Sequence, residues 1–385
     1  MRKITSGGAV LALSAFLLIH PAGAQPAAGA SGGAAAALPR LPSRTVAQGL
    51  EHPWAMAFLP GGKFLVTERP GRLRVIAPDG RVAEPVLGVP AVSARGQGGL
   101  LDVALDPAFE QSRQLFFCFA EASADGSVNG TALARARLSQ DETRLEEVRV
   151  IFRQQPKIAS DLHFGCRIVI DREGMIFLAL GERFRAMQQA QRLDNHLGKV
   201  VRLTKEGAPA PGNPFIGRAA ALPEIWSYGH RNPQGATLGP DGRYWMHEHG
   251  PQGGDEINLP LPGRNYGWPV VTFGEQYGGG PIGEGLTAKP GMEPPLYHWT
   301  PSIAPSGMTF LTSARYGQAW RGSLWVGSLK FGLLLRLDLQ GDRIAREERF
   351  EFVGERIRDL RQGPDGWLYA LTDSPRGRLL QVLAP

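Results

Sequence analysis

Six times along this chain, a turn rich in Gly, Pro or Asp runs into a short apolar strand, a second turn and another strand. The units are PGGKFLVTERPGRLRVI (60–76), RQLFFCFAEA (113–122, preceded by ALDPAF), DREGMIFLALGER (171–183), GPDGRYWMHEHG (239–250), WRGSLWVGSLKFGLLLRLDL (320–339) and GPDGWLYALTDSPRGRLLQVL (363–383). Apolar and polar positions alternate within them, the two-residue period of a half-buried strand. One such unit cannot bury its apolar face alone, so its neighbours must cover it. Their spacing, roughly 45 to 80 residues, suits propeller blades carrying loop insertions. The expected fold is all-β, a six-bladed β-propeller with long loops forming one mouth; an irregular β-sandwich is the alternative. A ring of blades leaves no long exposed sheet edge, and residues 44–48 are expected to pair with the last blade and close the circle. Fifty glycines and 31 prolines in 385 residues supply the turns that so many short strands require.

The N-terminus carries Arg2 and Lys3, an apolar run over 9–19 and Ala22-Gly23-Ala24. That is the layout of a secretory signal spanning 1–24, and its apolar run is too short for an ordinary membrane span. Residues 25–43, rich in Ala, Gly and Pro, read as a disordered leader, and 44–385 as a single propeller domain in a periplasmic or secreted protein. Loss of Arg2 and Lys3 lowers the formal net charge from +6 to +4. The remaining basic residues are dispersed, which argues against nucleic acid as a partner. No later stretch is a transmembrane candidate. Residues 135–150, charged and without a strong apolar stripe, and 278–297, rich in Gly and Pro, read as insertions or long loops. Cys118 and Cys166 both lie in apolar runs. Export permits a disulfide, but buried thiols are also common in such runs, and spacing leaves both outcomes open.

Loops at one mouth of a propeller converge on the axis, so distant residues can build one site. Gln97, His163, Arg231, Asn232, Lys330, Arg356 and Arg358 all precede or open a strand–turn–strand unit. Lys330, Arg356, Arg358 and Arg231 together would suit a planar polycarboxylate, because guanidinium groups bind carboxylates as a bidentate fork. The competing reading pairs each arginine with a neighbouring acid such as Glu355 or Asp359. His163 is a candidate general base, against the commoner case of a structural histidine. His247 and His249 stand two apart on a strand, yet no third ligand with definite spacing follows, and they read as residues shaping the loop before Gly250.

GHRNPQG (229–235), EHGPQGGDEIN (248–258) and NYGWP (265–269) resemble the soluble aldose sugar dehydrogenases that use pyrroloquinoline quinone, and the match runs from about residue 44 to the end. The resemblance implies an enzyme that oxidises aldose sugars at the anomeric carbon to lactones, with an electron acceptor left undefined and a monomeric or dimeric state. It makes His163, with Arg167 in an H-x-x-x-R pattern, the base that takes the anomeric proton while hydride passes to the quinone C5 carbonyl. It assigns quinone contacts to Gln97, Arg231, Asn232, Tyr277, Lys330, Arg356 and Arg358. Gln97 would also face the sugar, and Arg231 would stabilise charge on the reduced cofactor. The Gly250 and Pro251 carbonyls would hold one calcium ion; a second, structural calcium is often present in the family, and its ligands would be Glu256 and the Tyr266 carbonyl. Trp299 would either wall the sugar or serve as an ordinary rim or core aromatic. Three positions depart from the family pattern: Glu182 replaces an Asp that orients the base, Cys166 a small residue, and Gln252 an Arg. Other functions on such a propeller are a calcium-dependent lactonase, which needs carboxylates converging on an axial ion, and a non-catalytic binding module.

Overall fold

The structure, a computed structural model, describes residues 37–385. The expected signal segment and residues 25–36 of the leader lie outside these residues. Six antiparallel sheets follow one another along the chain. The first blade has three strands, Pro53–Leu59, Lys63–Glu68 and Arg72–Ile76. The second comprises Leu100–Leu105, Gln114–Ala122, Asn129–Leu138 and Leu145–Arg153. The third is Gly165–Ile170, Ile176–Leu180, Lys199–Leu203 and Ile225–Tyr228, and the fourth Pro233–Leu238, Tyr244–Glu248, Asp255–Asn258 and Tyr297–Trp299. Pro305–Phe310, Leu324–Ser328, Leu333–Gln340 and Arg343–Glu351 make the fifth. The sixth joins Ile357–Gln362, Leu368–Thr372 and Gly377–Val382 to the N-terminal strand Ser43–Leu50. The first strand of each blade packs against that of the next, and the sixth blade meets the first, so the ring is closed.

Closure is by the expected strand: Arg44 stands opposite Gln381 and Ala47 opposite Leu379. Each of the six sequence units falls within one blade. Residues 135–150 are a correction: they belong to the two outer strands of the second blade, not to a loop. The outermost strand has one face in solvent, so it buries little beyond Leu145 and Phe152 and carries charge elsewhere, which thins its apolar stripe. Residues 278–296 do lie in the long connection between Asn258 and Tyr297. Residues 39–41, expected in the leader, pair with Glu351 of the fifth blade. The Leu41 amide donates to the Glu351 carbonyl and the Glu351 amide to the Pro39 carbonyl, because Leu41 fills a hollow beside Phe350 and Phe352.

Apolar side chains from adjacent blades interleave to form the core, with Phe116, Phe117 and Phe119 of the second blade and Trp325 of the fifth wholly buried. Cys118 and Cys166 form a disulfide that ties the second strand of the second blade to the first strand of the third, with Cα atoms 6.0 Å apart. At the axis the core is ionic. Arg167 donates to Asp102 at 3.2 Å and contacts Asp359 at 3.1 Å, and Arg361 pairs with both carboxylates. The amides of Ile168 and Met56 donate to Asp102 and Asp359, and the Arg167 guanidinium lies 4.2 Å from the Trp54 ring centroid. Asp102 is fully buried. Asp102→Ala would leave the buried Arg167 and the half-buried Arg361 guanidinium groups under-compensated, and we expect it to remove about 3–5 kcal/mol of stability. Urea unfolding of the cofactor-free protein measures that loss; a change below about 1 kcal/mol would show that the axial charges are dispensable.

Candidate active site

The turn entering the third blade is left-handed at His163 (φ 49°), Gly165 (φ 69°) and Cys166 (φ 80°). At Gly165 a Cβ would stand 2.6 Å from the Gly181 amide nitrogen, so only glycine fits this close crossing. The turn presents His163, which is buried, with Nδ1 3.0 Å from Glu182 Oε1. Nδ1–H donating to the carboxylate leaves Nε2 with its lone pair free. Glutamate therefore reaches His163 from a position where the family pattern has aspartate. The Glu182 amide in turn donates to the Arg231 carbonyl at 2.9 Å. Gln97 clamps the turn from the second blade: its side-chain oxygen accepts from the His163 amide at 2.8 Å. Burial, with Arg231 and Arg183 nearby, lowers the His163 pKa well below the ordinary imidazole range. Burial raises Glu182 to about 7, against the pull of Arg231. The His163 imidazole is therefore held toward its neutral form.

Arg231 sits beside this pair, buried, with its guanidinium 5.2 Å from the Trp268 ring centroid. It donates to the carbonyls of His249 at 3.0 Å and Gly250 at 2.8 Å, and lies 3.4 Å from the Tyr277 hydroxyl. It is held in turn by residues of the same loops. Glu248 accepts from the Arg231 amide and contacts His230 Nδ1 at 3.0 Å, and His230 Nε2 meets Ser227 Oγ at 2.8 Å. This row looks like a hydrolytic triad, but Ser227 and His230 are fully buried, so it serves to fix the loop.

A cleft of about 180 Å³ opens at the axis beside the His163 turn, lined by Arg69, Gln97, Asn232, Arg356, Arg358 and Asp373 among others. Lys330, Tyr277, Gly250 and Pro251 line the adjoining recess. The structure thus brings every expected quinone-contact residue to one mouth. The arginines are not paired as sequence proximity suggested. Asp359 is taken by Arg361 and Arg167, and Glu355 by Arg378. Arg356 and Arg358 instead share Asp373, at 3.4 and 3.0 Å, and Asp373 also holds His52 at 3.0 Å. Two guanidinium groups on one carboxylate, with Arg69 and Lys330 nearby, leave the cleft wall cationic. Arg69 and Asp373 were legible only as charged residues in turns.

The Gly250–Gly254 turn is held by Asp255, whose carboxylate accepts from the amides of Gly250, Ile303 and Ala304 at 2.8–3.0 Å. Glu248, Glu256 and Tyr266 face a small recess behind it. Burial and the neighbouring Glu248 push Glu256 well above the usual carboxylate range. This is the charge deficit an oxygen-liganded cation would relieve. His249 donates to the Pro305 carbonyl at 2.7 Å, and His247 is wholly buried against Gly235. Among the described residues no group of three or more His, Cys, Asp or Glu is arranged to hold a metal. Of the two readings of Trp299, its burial favours the core aromatic. It is buried, and its indole N–H donates to Glu347 at 2.6 Å, so it packs the core between the fourth and fifth blades and walls no sugar. Strand pairing with Asp255 turns it there. The aromatic residues that line the cleft beside Glu182 are Phe184, Trp268 and Tyr277.

Fold and site define a class: a six-bladed propeller with a buried imidazole–carboxylate pair beside an axial cleft whose wall is cationic. The profile of the Glucose / Sorbosone dehydrogenase family matches residues 50–381. Aldose sugar dehydrogenase YliI of Escherichia coli (strain K12) is 46% identical over 337 residues, covering 86% of this chain and 90% of that protein. A crystal structure of a glucose dehydrogenase superposes with a TM-score of 0.86 at 51% identity, covering 89% of this chain and all of that one. The PQQ-bound aldose sugar dehydrogenase of Streptomyces coelicolor superposes at 0.73 and 30% identity, covering 88% and 96%. The chain belongs to the soluble PQQ-dependent aldose sugar dehydrogenases, and it is a sugar oxidoreductase.

The raised pKa of Glu182 is a stability cost with a defined pH window. The unfolded carboxyl ionises near 4.5 and the folded one near 7, so its contribution to stability is full below 4.5 and is lost as pH rises to about 7. Glu182→Gln removes that loss. Thermal melts of the cofactor-free proteins should show the variant gaining on the parent between pH 4.5 and 7 and holding its gain above; a constant difference would refute the assignment.

Proposed function

We propose that this chain is a quinoprotein that oxidises aldoses to lactones, using pyrroloquinoline quinone held with calcium. The observation that carries the reading is the buried His163–Glu182 pair standing next to Arg231 at the edge of the cationic cleft. The quinone is a planar tricarboxylate, and Arg356, Arg358 and Lys330 are the residues to hold its carboxylates, with Gln97, Asn232 and Tyr277 completing its contacts. The carbonyls of Gly250 and Pro251 would hold the calcium at the quinone, and Glu256 with the Tyr266 carbonyl a second, structural ion. When bound, the quinone supplies the electrophile that accepts hydride and calcium the Lewis acid that polarises it.

The chain's own residues do the proton chemistry and the positioning. His163 Nε2 takes the proton of the anomeric hydroxyl, which suits a neutral imidazole whose other nitrogen is fixed. Glu182 holds Nδ1–H and stabilises the imidazolium that forms. The Arg231 guanidinium, pinned by two backbone carbonyls, offers fixed positive charge to a developing anion. The lactonase reading is disfavoured: the axial carboxylates Asp102 and Asp359 are consumed by Arg167 and Arg361. The N-terminal signal layout supports a periplasmic or secreted enzyme.

Titrating the purified apo-protein with the quinone, with and without calcium, and then adding glucose and an acceptor dye tests the reading. Saturable, calcium-dependent binding with dye reduction is expected. His163→Ala should bind the quinone as before while turnover falls about 10²–10⁴-fold. No quinone binding by the parent protein would overturn the function; unchanged turnover in the variant would overturn the role of His163.

A further inference from the structure

Immediately after Glu182 the backbone is left-handed at two successive residues, Arg183 and Phe184, both with φ 67°. Neither is glycine, and such conformations are unfavourable for bulky side chains unless the surroundings impose them. Arg183 imposes this one. Its side chain is completely buried, and no carboxylate pairs with it. It donates to the carbonyls of Leu162 and Asn129 at 3.0 Å each, to the Asn129 side chain at 2.6 Å and to the Ser160 carbonyl. Its guanidinium lies over the Phe164 ring, 3.8 Å from the centroid, and Ser160 Oγ donates to the Arg183 carbonyl at 2.6 Å. Burial lowers even this guanidinium to about 10. An arginine held this way, in place of an apolar residue, anchors the kink to the turn that carries His163.

The kink throws Phe184 outward. Phe184 is 37% exposed, one of three exposed aromatic residues among those described, with Tyr277 and Phe331, and it stands edge-on to His163 with ring centroids 5.2 Å apart. It lines two clefts at once. One holds Glu182, Met187, Arg231, Trp268 and Tyr277; the other holds Arg95, Ser127, Asp161 and Arg185. In the first cleft the buried atoms Glu182 Oε2, Arg231 Nε and Trp268 Nε1 have no hydrogen-bond partner. An apolar wall with the polar side chains of Glu182, Arg231, Gln276 and Tyr277 beside it suits a molecule with C–H faces and a rim of hydroxyls, which is a sugar ring.

We propose that Phe184 is the substrate-selecting residue: the apolar face of an aldopyranose lies on it with the anomeric hydroxyl at His163, and its ring closes the substrate cleft off from the Arg95–Arg185 cleft. This rests on the aldose-oxidising function above. Phe184→Ala and Phe184→Tyr, loaded with quinone and calcium, are compared with the parent on glucose. In the Ala variant KM should rise about tenfold, the worth of one good aromatic contact. Its kcat, the pH profile of kcat and the quinone affinity should stay as in the parent, and Tyr should restore KM. An unchanged KM in Phe184→Ala, or a fall in kcat at constant KM, would overturn the proposal while leaving the function intact. A parent protein that binds quinone but oxidises no aldose would overturn the function, and the role of Phe184 with it.

Discussion

Everything at the mouth of this propeller is referenced to four charges on its axis. Asp102, Asp359, Arg167 and Arg361 come from the second, sixth, third and sixth blades, and they recruit the Met56 amide from the first and the Gln234 carbonyl from the fourth. Buried ions are costly unless each is paired and hydrogen-bonded. Here each carboxylate takes two guanidinium contacts and at least one amide, so the inner strands have one register in which the charges are satisfied. Two of those strands also carry the site. The strand of Arg167 begins at the His163 turn, and the strand of Asp359 and Arg361 carries Arg358. Pairing on the axis thus sets where the base and the cleft arginine stand.

The base turn adds local strain to that frame. His163 and Cys166 on one side and Arg183 and Phe184 on the other are left-handed without being glycine, at about 1–3 kcal/mol each. The surroundings that offset this are visible: the Gln97 clamp, the buried Arg183 fork and the Cys118–Cys166 disulfide from the neighbouring blade. Strain concentrated within reach of one imidazole, and braced from two blades, is what preorganisation of a base requires.

The ring was readable from sequence because its inner strands obey a two-residue period and its turns carry Gly and Asp. The closing strand was readable for the same reason. The outer strand 145–153 was not, since one face in solvent dilutes the alternation that reveals the inner strands. Among the site residues, motif-bearing turns led to His163, Arg231 and the cation set. Charge partners were another matter. Glu355 and Asp359 are adjacent in sequence to the cleft arginines, but side chains on a strand alternate in direction, and Asp359 faces the axis while Arg358 faces Asp373 across the blade. The two readings of Trp299 could not be separated for a similar reason: pairing with Asp255 turns it into the core, a fact of register that a loop motif does not carry. The Cys118–Cys166 pair depends on blade adjacency, which spacing cannot express.

The site is electrically divided. Arg69, Arg356, Arg358 and Lys330 line one side, with Asp373 in the cleft and Glu275 in the recess as the carboxylates beside them, whereas Glu248 and Glu256 share a recess in which burial pushes Glu256 toward its neutral form. Arg231 stands between, tied to the acidic side through the Glu248 contact with its amide and to the cleft through Tyr277. Each half is unfavourable by itself: unbalanced cations repel, and crowded carboxylates must take up protons. A planar polyanion laid on the cationic wall and an oxygen-liganded cation beside the Gly250 turn would relieve both at once, each strengthening the other's binding. On these grounds the two ligands are expected to bind cooperatively, with the coupling falling as salt screens the exposed Arg356 and Lys330 more than the half-buried Arg358.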